Sequence, residues 1–123
     1  MLSSMTPSIV VKDGRTRYVL GTPGGSTIIT TVLQIFLNAA VYGMDIQQAV
    51  AAPRHHSQWL PDVIYTESKV FSDETRSTLE SLGHIVKPYT RTPYIGIANC
   101  IAIAPDGLHG APDPRLDNAA AEY

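Results

Sequence analysis

A single cysteine in 123 residues leaves Cys100 nothing to pair with inside the chain, so an internal disulfide is excluded and the redox compartment stays unstated. Its setting, Ile97-Ala98-Asn99-Cys100-Ile101-Ala102-Ile103, has the composition of an apolar strand, where a cysteine reads as a small buried hydrophobe. Charge is scarce too. Nine basic and eleven acidic side chains give a net −2, and charged residues make up only 16% of the chain. With no basic run and no aromatics interleaved with cations, neither nucleic acid nor an anionic membrane is expected as a partner. The longest apolar stretch, residues 28–41, falls short of the ~20 residues a bilayer requires and contains Thr, Gln and Asn, so it reads as a core helix. There is no GxGxxG and no P-loop, and Gly24-Gly25 alone is weak evidence for phosphate. His55-His56 invites a metal, but adjacent residues of an extended segment point opposite ways and no third ligand sits at a useful spacing. No metal and no other cofactor is expected. Met1-Leu2-Ser3-Ser4 has neither a basic start nor an apolar stretch, so it does not read as a cleavable signal peptide; the Met reads as a start added to a cut fragment.

What is present is a globular chain of one domain or part of one, 44% hydrophobic, with few charges to cover its outside. Extra buried surface is expected, either within a larger protein or in an oligomer. Residues 8–12 and 17–20 are β-prone runs joined by Asp13-Gly14, a strong hairpin signal. Residues 26–42 predict one long helix capped by Ser26 and stopped by Gly43, apolar on more than one face and so sandwiched. A shorter helix starts at its cap Asp45 and ends before Pro53. The segment 54–59 follows, in which Trp59 is expected to pack on a histidine and Arg54 to hold a carboxylate or carbonyl. Then come a strand at 63–67, a helix capped by Ser72 with an apolar stripe of Leu79 and Leu82, a strand at 84–87, an exposed loop at 89–93, and a final hairpin turning at Asp106-Gly107. This order predicts a mixed α+β layer rather than a doubly wound sheet.

The most informative stretch is Gly21-Thr22-Pro23-Gly24-Gly25-Ser26, between the run ending at Leu20 and the long helix. Paired glycines let a ligand approach the main chain closely, and free N–H groups at a helix start favour negative charge. An acyl-transfer enzyme needs such donors for the oxyanion of its tetrahedral intermediate. Alone, the stretch reads as a plain strand-to-helix turn, since Gly and Pro are the commonest punctuators.

Its company decides between these. Leu2-Ser3-Ser4-Met5-Thr6-Pro7, the turn itself, Pro53-Arg54-His55-His56-Ser57-Gln58-Trp59-Leu60-Pro61-Asp62 and Asp113-Pro114-Arg115 resemble, in order and spacing, the C-terminal part of the small subunit of γ-glutamyltranspeptidases. The resemblance implies part of the αββα sandwich of an N-terminal nucleophile hydrolase, with residues 1–123 a single partial domain. It implies that Ser3 and Ser4 bind the glutamyl α-carboxylate and that the N–H groups of Gly24 and Gly25 form the oxyanion hole. The donor would be glutathione or another γ-glutamyl compound, attacked by a threonine, with the glutamyl group passed to water, an amino acid or a peptide. That threonine belongs well upstream of the LSSM motif, and none of Thr6, Thr16 or Thr22 matches it. The remainder of the precursor, meaning the large subunit and the N-terminal part of the small subunit, is therefore an implied partner, and the isolated chain is expected to be inactive. The parent protein would be periplasmic or secreted, and exposed strand edges could support a homo-oligomer. The glycine expected before the final tyrosine is absent, since Glu122 precedes Tyr123. A cephalosporin acylase, a poly-γ-glutamate depolymerase or a non-catalytic scaffold protein are the alternatives.

Overall fold

A computed structural model describes residues 6–117 and 119–120. Ser3 and Ser4 lie outside the described residues, as do positions 118 and 121–123 of the tail. In chain order the elements are β1 (Ser8–Lys12), β2 (Arg15–Gly21), a 3-10 turn (Gly25–Thr27), α1 (Ile28–Phe36), a π-helical turn (Leu37–Val41), α2 (Ile46–Ala51), β3 (His55–His56), β4 (Ile64–Thr66), α3 (Asp73–Ser81), β5 (Val86–Pro88), β6 (Asn99–Ala104) and β7 (Gly107–Pro112). Helix and sheet are mixed, as an α+β fold requires. They form two compact units, one made of the described residues before Pro53 and after Ile95, the other of Pro53–Ile95.

The first unit is an antiparallel sheet in the order β1-β2-β6-β7 with helices on one face. Asp13 and Gly14 both take positive φ, at 53° and 71°, which matches the twist of the hairpin they close. Register places Leu20 opposite Cys100 and Cys100 opposite Ala111, a row across three strands. This row packs on Val32 and Ile35 of α1 and on Ile46, Ala49 and Val50 of α2, so Cys100 is the buried hydrophobe its surroundings imply. The pleat sends the alternate row, Ile9, Val19, Ile101 and Gly110, to the opposite face. There Ile9 is 67% exposed and Ile101 39%. Gly110 admits the tail, because a Cβ on it would lie 2.6 Å from that of Ala120.

The long helix is not uniform. Ser26 does not cap it; Thr27 donates from both N–H and hydroxyl to the Gly24 carbonyl, at 3.3 and 2.9 Å, which winds the first residues into a 3-10 turn. At the other end Tyr42 N–H reaches back five residues to the Leu37 carbonyl, and Gly43 ends the run with φ 70°. Ile29 and Leu33 on the outer side of α1 are 69% and 51% exposed. Asp45 caps α2 by accepting from the Gln47 and Gln48 N–H groups. The carbonyls beyond its last turn are met by Arg115, which donates to Val50 O and Ala52 O at 3.0 and 2.9 Å. Arg115 in turn pairs with the fully buried Asp113 at 3.0 Å, whose other oxygen accepts from Ala98 N–H at 2.7 Å.

In the second unit β4 pairs antiparallel with β3 and parallel with β5, α3 making the crossover between them. The unit thus holds one βαβ step within an otherwise α+β chain. Ser72 caps α3 as its position predicts, accepting from Thr75 N–H at 3.1 Å. The apolar stripe of α3 is not buried, however: no residue of the helix is, and Leu82 beyond it is 71% exposed. Trp59 also departs from expectation. A positive φ of 73° turns it outward to 77% exposure, and His56 pairs with Gln58 instead while His55 lies against Phe71 at 5.4 Å between ring centroids. Arg54 does hold a carbonyl, donating to Ile95 O at 3.0 Å. Glu67 accepts from Arg54 N–H and Ile95 N–H, both at 3.0 Å, so the two ends of the unit are clasped together.

Two measurements test these contacts. Asp113→Ala leaves the Arg115 cation and the backbone N–H groups of Ala98 and Arg115 without their buried acceptor, and its unfolding free energy should fall by about 3–5 kcal/mol in urea; a loss under about 1 kcal/mol would count against this network. Burial first, and the charge of His56 second, hold the His55 imidazole below its usual value of about 6.5. Between the two values the unfolded chain binds more protons, so stability should fall as pH drops from 7 through 6.5 and level off below the depressed value. His55→Gln should flatten that slope, and an unchanged slope in the variant would remove the assignment.

Candidate functional site

The Gly21-to-Ser26 connection is held on its buried side by threonines. Thr22 is 2% exposed, and its hydroxyl donates to the Pro23 carbonyl at 2.7 Å and accepts from Ile97 N–H at 2.9 Å. Thr27, equally buried, closes the Gly24 carbonyl as described above. Gly24 and Gly25 face outward between them. Both take backbone conformations that favour glycine, with φ 148° and 61°. A Cβ on Gly24 would sit 2.7 Å from Thr27 Oγ1 and 3.4 Å from the Gly96 Cα, whereas one on Gly25 would meet nothing within 4 Å. Gly24 is therefore required by contact as well as by dihedral.

Among the described residues neither the Gly24 N–H nor the Gly25 N–H meets an acceptor. They stand at the head of α1, which carries no acidic side chain in its first turn to neutralise its positive end. Two exposed donors on a rigid backbone beside a helix start can stabilise an oxygen that gains negative charge. The Thr22 hydroxyl is buried and engaged on both sides, which agrees with its not matching the nucleophile.

Sequence reasoning missed Gly96 and the threonines behind the turn. Gly96 has φ 71°, and a Cβ there would fall 2.6 Å from Thr31 Oγ1 and 3.1 Å from Thr22 Oγ1. Its signal was available, since an isolated glycine in an apolar, strand-like run marks close backbone approach. The threonines carried none, because a buried Thr reads as an ordinary strand or helix residue. Asp113 and Arg115 carry no signal in the sequence beyond their motif; their part is to hold Ala98 and the end of α2. No group of three or more His, Cys, Asp or Glu among the described residues is arranged to hold a metal.

The profile of the family described as Gamma-glutamyltranspeptidase matches residues 1–123. The chain is similar to a glutathione hydrolase proenzyme of Escherichia coli, 49% identical over 99% of the chain and 21% of that protein. A glutathione hydrolase proenzyme of a Pseudomonas species is 42% identical over 98% of the chain and 22% of its own length. Among solved structures, a γ-glutamyltranspeptidase mutant from Helicobacter pylori superposes with a TM-score of 0.87 at 40% identity, covering 94% of this chain and 62% of that one. The chain thus spans about a fifth of the length of the curated relatives it matches.

The glycines should respond unequally to a methyl group. Gly24→Ala and Gly96→Ala combine a glycine-favouring φ with a close contact and should each lose about 2–5 kcal/mol of unfolding free energy. Gly25→Ala, with open space around it, should lose only the left-handed penalty of about 1–2 kcal/mol. Three equal losses in thermal or urea unfolding would contradict the contacts described.

Proposed function

The chain belongs to the γ-glutamyltranspeptidase family, and from that premise we propose that it is part of an enzyme that cleaves γ-glutamyl amide bonds. Its contribution is the oxyanion hole at Gly24 and Gly25, together with carboxylate binding at Ser3 and Ser4. The observation that carries this reading is the pair of outward-facing glycines whose N–H groups meet no acceptor among the described residues. As a nucleophile attacks the γ-glutamyl carbonyl, charge moves onto its oxygen, and two preorganised N–H donors stabilise that charge without having to reorient. Ser3 and Ser4 are assigned by motif alone, on the ground that neighbouring hydroxyls are compact donors to a carboxylate.

In this reading the 123 residues are a single partial domain. The nucleophilic threonine comes from the N-terminal part of the small subunit, and the large subunit completes the carboxylate site. Those two segments are the proposed protein partners. Glutathione or another γ-glutamyl compound is the donor, and water, an amino acid or a peptide receives the glutamyl group. The exposed row through Ile9 and Ile101 is apolar surface that such a partner segment would cover; a second copy pairing at a sheet edge is the other way to cover exposed sheet. A periplasmic or secreted parent is proposed from the family alone. Among the described residues no helix is long and apolar enough to cross a membrane.

The test is release of the coloured amine from a γ-glutamyl anilide, by the chain alone and by the chain co-expressed with the upstream part of its precursor. Activity is expected only in the co-expressed sample, where Ser3→Ala with Ser4→Ala should raise KM for the donor at least tenfold. Turnover by the repurified chain alone would overturn the reading that the nucleophile comes from outside it. Silence of a complex that assembles and cleaves itself would point to another acyl substrate or to a scaffold.

A further inference from the structure

Taking Gly24 and Gly25 as the oxyanion donors, a reading on which this inference rests, we propose that the hydroxyls of Thr22 and Thr27 aim those donors. The argument is one of peptide geometry. In a trans peptide the C=O of one residue and the N–H of the next lie in one plane and point in opposite directions. Neither the Pro23–Gly24 nor the Gly24–Gly25 bond is cis. The Pro23 carbonyl is held at 2.7 Å by the Thr22 hydroxyl, which is buried, so the Gly24 N–H at the other end of that peptide is turned the opposite way, outward. The Gly24 carbonyl is held at 2.9 Å by the Thr27 hydroxyl and at 3.3 Å by the Thr27 N–H, so the Gly25 N–H is likewise fixed from behind. Each donor thus has one threonine on the far end of its own peptide.

The two grips differ in depth. Thr22 is itself anchored, because its oxygen also accepts from Ile97 N–H at 2.9 Å, and among the described residues no other hydroxyl meets the Pro23 carbonyl. Thr27 shares its carbonyl with its own N–H and has a substitute. Glycine has no side chain with which to restrict its peptide planes, so these oxygens supply the stiffness that the glycines forgo. Thr22 and Thr27 are positioning residues: they touch neither substrate nor reacting atoms.

The experiment uses the co-expressed, self-cleaved enzyme with Thr22→Val, Thr22→Ser, Thr27→Val and Gly24→Ala variants, measuring kcat and KM for a γ-glutamyl anilide. Valine keeps the shape and removes the hydroxyl; serine keeps the hydroxyl. Loss of a whole donor costs on the order of 10²–10³ in kcat, so a misaimed one in Thr22→Val should cost about 10–100-fold, with donor KM changed less than about threefold. Thr27→Val, with its N–H still in place, should cost about 3–10-fold, and Thr22→Ser should restore kcat to within about threefold of the parent. A merely structural role would lower protein yield and move KM along with kcat, whereas an aiming role lowers kcat alone. If Thr22→Val fails to assemble, Thr22→Ser still decides: serine behaving like a knockout shows that the hydroxyl is not what matters and overturns the proposal. Gly24→Ala inactive with Thr22→Val at parental kcat would overturn the role of Thr22 alone. Gly24→Ala at parental kcat would remove the oxyanion reading and this inference with it.

Discussion

Everything around the glycine turn depends on how three consecutive residues, Gly96, Ile97 and Ala98, are gripped. Two buried oxygens take their N–H groups: the Thr22 hydroxyl that of Ile97, and the Asp113 carboxylate that of Ala98. A buried carboxylate is tolerable only when it is paired and hydrogen-bonded, and Arg115 supplies the counter-charge while reaching on to the last carbonyls of α2. A single chain of polar contacts therefore runs from the end of α2 to the floor of the turn. With that floor set, threonine oxygens crowd both glycines: a Cβ on Gly24 would lie 2.7 Å from Thr27 Oγ1, and one on Gly96 2.6 Å from Thr31 Oγ1 and 3.1 Å from Thr22 Oγ1.

The turn illustrates a division of labour between residue types. Glycine admits the dihedrals and the close approach, and the hydroxyls of Thr22 and Thr27 hold the Pro23 and Gly24 carbonyls. For the proposed oxyanion donors such a grip matters because a donor that must reorient during reaction stabilises charge less well than one already aimed. Apolar packing supplies the wider frame, in which the Leu20, Cys100 and Ala111 row meets α1 and α2 on one face of the sheet. The opposite face keeps Ile9 and Ile101 exposed.

The unit from Pro53 to Ile95 follows a different logic. It has little core of its own, and α3 buries no residue. Its ends are instead held by backbone hydrogen bonds to one carboxylate, Glu67, and by the Arg54 guanidinium on the Ile95 carbonyl. Closing the two ends on each other lets a 43-residue excursion leave and rejoin the chain at one place.

Local signals in the amino-acid order were enough for the hairpin at Asp13-Gly14, the Asp45 and Ser72 caps, the strand carrying Cys100 and the α+β class, because each is decided by a few neighbouring residues. The glycine turn and its family were legible for the same reason, as short motifs at fixed spacing. What only the tertiary structure decided were choices between equivalent groups, some of them neighbours and some far apart in sequence. Ser26 is a better cap by residue type than Thr27, yet Thr27 closes the turn because the Gly24 carbonyl is presented to it. Trp59 is the larger hydrophobe, yet a left-handed backbone turns it outward. Thr22 meets Ile97 and Asp113 meets Ala98 only once the sheet has brought residues 75 and 15 positions apart to within a hydrogen bond. A sequence states which groups can donate and accept; which of them come within 3 Å of each other is a property of the folded chain.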